Sequence, residues 1–119
     1  MSNNIILDKT YNFAIKIVKL SQYLVSEKKE YVLSKQILRS GTSVGANTEE
    51  AIGGFSKKDF IYKLNIAYKE ARETKYWLRI LKDTGYIESE EFEVLFDELE
   101  QILKILFTII KKSKENGDG

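Results

Sequence analysis

The chain has 119 residues, 43% hydrophobic and 31% charged, ordinary proportions for one globular domain large enough to bury its own core. It contains no His and no Cys, which excludes Ser-His-Asp and Cys-His catalysis, thiolate chemistry, disulfides and ordinary zinc sites. Its 19 basic and 18 acidic residues leave a net charge of +1, so a role in binding nucleic acid requires charge segregated onto one face.

Apolar residues recur at helical spacing in four segments. The spacing predicts a first helix over roughly 8–27, with Asp8 as N-cap and Phe13, Ile17, Leu20 and Leu24 on its core face. The second runs over about 32–52, with Leu33, Ile37, Val44 and Ala51 inward; Gly53 or Gly54 is expected to end it in a left-handed conformation. Ser56 caps the third, over about 57–84, whose core stripe is Phe60, Leu64, Ala67, Ala71, Thr74 and Leu78, and Gly85 stops it. Ser89 caps the fourth, over about 89–112, with Phe92, Phe96, Leu99, Leu103, Leu106 and Ile110 inward; residues 113–119 read as a flexible tail. With short connections and no proline, the expected fold is all-α: a single antiparallel up-down-up-down four-helix bundle.

No apolar run reaches the roughly 20 residues of a membrane span. "ILKILFTII" is interrupted by Lys104 and Thr108, and "MSNNIILDKT" is too short and polar for a secretory leader. The expectation is a cytoplasmic protein with no membrane partner.

The stretch "RSGTSVGANTEEAIGGFSKKDF" carries four of the seven glycines. It lacks the lysine and spacing of a phosphate loop, and no strand precedes it. As helix, it places Arg39, Ser43, Asn47 and Glu50 on one narrow polar stripe, and Gly41 and Gly45 at the spacing that permits close helix approach. The stripe is either a solvated face or a bracing face covered by another helix or subunit, in which case its charges need partners.

The third helix has two further faces. Tyr62, Ile66, Tyr76, Trp77 and Ile80 form a second apolar face, a candidate oligomer interface or landing site for a partner protein. Arg72, Lys75, Arg79 and Lys82 form a basic row, with Tyr68 one turn before it as a stacking face. The row is a solvated face, a set of partners for Asp97, Glu98 or Glu100, or a track for phosphates. Glu49-Glu50 and Glu90-Glu91 diverge on their helices, and a di-metal bundle would use Glu-x-x-His motifs. No catalytic residue, metal ligand or cofactor site is therefore expected, and the protein is not expected to be an enzyme.

The ordered set Gln36, Arg39, Ser43, Val44, Asn47 and Glu50, followed by Ser56, Asp59, Phe60, Leu64, Ala67, Ala71, Glu73 and Leu78, resembles a four-helix-bundle protein family. Its founding members are encoded by intervening sequences within bacterial 23S rRNA genes. The chain departs from the pattern at Thr48-Glu49 and Ala51-Ile52. It also resembles the accessory protein of diversity-generating retroelements, a related basic pentamer that binds nucleic acid and a reverse transcriptase. The resemblance implies a homo-oligomer, a ring of five bundles, and supplies no catalytic residue. Two functions fit these features: a non-catalytic ring scaffold adapting to RNA, DNA or a nucleoprotein, or a protein–protein interaction module with no nucleic-acid role.

Overall fold

Each of the four periodic segments becomes one helix, because nothing in its interior breaks the backbone hydrogen-bond ladder. The computed structural model describes residues 2–116, with side chains from Ile5 onward. Helix α1 spans Ser2–Ser26, α2 Leu33–Ile52, α3 Lys57–Asp83 and α4 Ser89–Glu115; no strand occurs among the described residues. They pack as an all-α bundle of 49 × 21 × 20 Å, in which α1 touches α2 and α4, and α3 touches α2 and α4. Cross-helix partners run in opposite order along each pair. Lys9 meets Gln101 and Lys16 meets Glu98 between α1 and α4, and Arg39 meets Glu73 while Glu50 meets Lys63 between α2 and α3.

The core is built from the expected stripes. Phe13, Ile17, Leu20, Leu24, Ile37, Val44, Leu64, Ala67, Ala71, Leu78, Leu99 and Leu106 are shielded from solvent. Leu33, Phe60 and Phe96 sit half-buried at the margin. Burying a large aliphatic side chain contributes on the order of 2 kcal/mol, so this core is the main source of stability.

The helix ends differ from expectation where side chains act across the connections. α1 starts at Ser2, upstream of the expected Asp8 cap, because the core stripe continues back through Thr10 and Ile6, both fully buried. Asp8 is an exposed residue within the helix. α2 is capped from outside by Glu30, whose carboxylate accepts the Ser34 N–H at 2.7 Å and the Leu33 N–H at 3.0 Å. Orphan donors at a helix start are otherwise left to water, and satisfying them contributes about 1 kcal/mol.

Neither Gly53 nor Gly54 is left-handed; the only described glycine with positive φ is Gly85, at 85°. There Tyr86 N–H reaches Leu81 O at 2.9 Å and Gly85 N–H reaches Lys82 O at 3.1 Å, closing α3 with the paired bonds of a Schellman motif. Ser56 caps α3 as expected, accepting from Asp59 N–H at 3.0 Å. Ser89 is instead the first residue of α4, and Glu88 holds the cap position without a side-chain bond. The helix continues through residues 113–115 of the expected tail, with Lys112 and Lys114 in its last turn complementing the dipole. Residues 117–119 lie outside the described residues.

The glycine pair of α2 faces α1. A β-carbon on Gly41 would lie 2.8 Å from Ile17 Cγ2, and one on Gly45 would lie 3.3 Å from the Thr10 carbonyl oxygen. Ile17 is fully buried and has no room to retreat. Gly41→Ala is therefore expected to destabilise the protein by about 1–2 kcal/mol net, an overpacking cost of about 2–3 kcal/mol, the upper part of the usual range, less the ~1 kcal/mol gain in helix propensity. Urea unfolding checks this, and a midpoint equal to or above that of the parent protein would rule out a tight seam.

Candidate nucleic-acid interface

The polar stripe of α2 turns toward α3. Arg39 hydrogen-bonds Glu70 at 3.1 Å and also pairs with Glu73, while Glu50 accepts from Lys63 at 2.8 Å. Ser43 and Asn47 bond within their own helix, to the carbonyls of Arg39 and Ser43. Beneath the stripe, the buried hydroxyls of Ser40 and Thr74 lie 2.9 Å apart. Arg39 is about half exposed, so each of its pairs is worth no more than about 1 kcal/mol. The pairs fix how α2 sits along α3 more than they add stability.

Electrostatics follow the same contacts. Glu73 is held below the ordinary carboxylate value of 4.5, first by the Trp77 indole N–H and also by Arg39, with burial opposing. The hydrogen bond from Arg39 to Glu73 is the main reason its guanidinium is pushed above the ordinary value. Lys63 is raised by its hydrogen bond to Glu50.

The second apolar face of α3 is divided. Tyr62 and Tyr76 are largely exposed, at 61% and 54%, whereas Ile66, Trp77 and Ile80 are half-buried. Trp77 donates its indole N–H to Glu73 at 3.0 Å, and the Tyr76 ring meets it edge-on with centroids 5.2 Å apart.

The basic row of α3 faces α4, and the two helices enclose an open groove of about 940 Å³. Tyr68, Arg72, Lys75, Tyr76 and Arg79 line one wall, and Glu100, Lys104 and Phe107 the other. The row's four charges are not equivalent. Lys75 Nζ lies 2.6 Å from Glu100 Oε2, an ion pair between α3 and α4. Lys75 also stands over the Phe96 ring at 5.2 Å, and Lys82 over Phe92 at 4.9 Å. These two lysines are engaged with α4. Arg72 and Arg79 are exposed and, like Lys104, have no carboxylate partner among the described residues.

Lys104 and Phe107 complete the groove, and sequence reasoning missed both. The available signal was Lys104, Phe107 and Lys111 at spacings of three and four, beside the core stripe of Leu99, Leu103, Leu106 and Ile110. Among the described residues no three Asp or Glu come together in a way that could hold a metal ion. No described helix is long and apolar enough to cross a membrane.

The described residues thus form an all-α bundle with a cationic and aromatic groove between α3 and α4. The chain belongs to the 23S rRNA-intervening sequence protein family, whose model matches residues 2–108. It is similar to a crystal structure of a protein with unknown function from the S23 ribosomal protein family of Bacteroides thetaiotaomicron VPI-5482. The two are 53% identical with a TM-score of 0.92, over 93% of this chain and 99% of that one. Among curated proteins none matches.

Glu73 makes the α2–α3 contact pH-dependent. Its folded value lies below the unfolded one, so the unfolded state takes up the proton first. The contribution is whole above about pH 4.5 and is lost as the pH falls through the lower folded value. Glu73→Gln is expected to cost up to about 1 kcal/mol at neutral pH and to flatten the loss of stability in acid. Urea unfolding across a pH series measures both, and identical acid limbs in parent and variant would exclude the carboxylate.

Proposed function

We propose that this protein is a non-catalytic, cytoplasmic scaffold: an antiparallel up-down-up-down bundle that assembles into a homo-oligomeric ring and offers the α3–α4 groove to nucleic acid or a nucleoprotein. The observation that carries this reading is the groove itself, where Arg72, Arg79 and Lys104 have no carboxylate partner among the described residues, in a chain whose net charge is only +1. Charge is segregated there, as phosphate recognition requires. The opposing order of cross-helix partners supports the antiparallel arrangement. The exposed Tyr62, with half-buried Ile66 one turn after it and half-buried Ile80 further along the same helix, supports assembly through the outer face of α3. Five subunits is the number implied by the family resemblance.

Light scattering on the purified protein should give a multiple of the 13.8 kDa chain mass, five-fold for the proposed ring. A monomer mass at micromolar concentration removes the ring. Titration with RNA and DNA should show binding at low salt that weakens steeply as salt rises. Arg79→Glu should reduce it at least several-fold while leaving helicity intact. Unchanged affinity in Arg79→Glu removes the groove from the reading. Absence of binding at low salt leaves the alternative, a protein–protein module built on the aromatic face.

A further inference from the structure

The α3–α4 groove combines cations that have no carboxylate partner among the described residues with ring faces. Phe107 is 55% exposed on the wall formed by α4, so its ring face is accessible from the groove. The Tyr68 ring faces it across the groove, with centroids 6.3 Å apart and planes tilted by 45°. The two rings make a platform rather than a closed stack. Each has a cation about one turn away on its own helix: Arg72 four residues after Tyr68, and Lys104 three residues before Phe107. That separation suits the base and the phosphate of a single nucleotide. Arg79 extends the cationic wall two turns further along α3.

The acids in the groove do not cancel these cations. Glu73 is held by Arg39 and Trp77, and Glu100 by Lys75. Arg72, Arg79 and Lys104 are left for an external anion.

We propose that this groove binds a single-stranded polynucleotide, its phosphates on Arg72, Arg79 and Lys104 and an unstacked base against Tyr68 and Phe107. The inference rests on the nucleic-acid reading above and specifies the strand state. A duplex keeps its base faces stacked inside and presents only phosphates and base edges. It would leave Phe107 and Tyr68 uncovered. Packed helices lie about 8–10 Å apart, and a groove between them admits one strand rather than two paired ones. Base–aromatic stacking tolerates any base, so the groove selects for strand state and not for sequence.

Fluorescence anisotropy with labelled RNA and DNA single strands, and with a duplex of equal length, tests the proposal on the intact protein. Single strands should bind more tightly than the duplex. The log–log salt slope should be about −2 for each occupied groove, from three phosphate contacts. Phe107→Ala should weaken single-strand binding by roughly 5- to 100-fold, the effect of losing one stacking face, with duplex binding and helicity unchanged. Phe107→Leu, which keeps apolar bulk but has no ring face, should behave like Phe107→Ala. Equal or tighter binding of the duplex, or wild-type affinity for single strands in both variants, overturns the single-strand proposal while leaving nucleic-acid binding in place. Failure to bind any of the three probes at low salt removes both. The RNA and DNA arms identify which strand is preferred, and a preference for either single strand over the duplex supports the groove assignment.

Discussion

Two missing β-carbons set the arrangement of this bundle. With nothing on Gly41 and Gly45, α2 settles directly onto Ile17 and the Thr10 backbone of α1, and that contact fixes its rotation about its own axis. Once this side is committed, Ser40 can only meet Thr74, and Arg39 and Glu50 reach Glu70, Glu73 and Lys63. α3 is thereby turned so that Arg72 and Arg79 look along α4. Two interior glycines cost about 1 kcal/mol each in helix propensity. Dispersion contacts around the buried Ile17 offset that cost, because the close approach leaves no gap beside it.

A nearly neutral chain can still carry a local field. In the groove, each acidic side chain is matched by a partner that points at it, whereas three cations are not. Attraction to a phosphate depends on this residue-level pairing within a Debye length of about 10 Å, and the charge of the whole chain matters little at that range. The same pairing divides the basic row of α3. Lys75 and Lys82 brace α4, through Glu100 and the Phe96 and Phe92 rings, and only the arginines remain available.

The helices and their inward stripes could be read from the chain, because a period of 3.6 residues survives without tertiary information. The Ser56 cap and the Gly85 stop were equally legible, since their chemistry lies within a few residues. Features that depend on how one helix is rolled against another were not. Nothing in the order of residues says that Arg39 finds Glu73 or that Phe107 stands opposite Tyr68, and pairing of the basic row with Asp97, Glu98 or Glu100 stood as one reading among three until the structure joined Lys75 to Glu100. Glu30 was missed for a different reason. It caps α2 by reaching forward from the preceding loop, and glutamate is not the residue type that marks a helix start.

The way the helices neighbour one another also bears on how the chain acquires its shape. The three broad contacts join helices consecutive in sequence, and the thinner α1–α4 seam is the one that brings distant parts of the chain together. Local contacts have little loop-closure entropy to overcome, so hairpins of helices can form before that seam closes. With no proline anywhere, no peptide bond has to isomerise on the scale of seconds. The bundle therefore belongs among the fast folders, and the α1–α4 edge, last to close, is the edge along which hydrogen exchange should find it opening first.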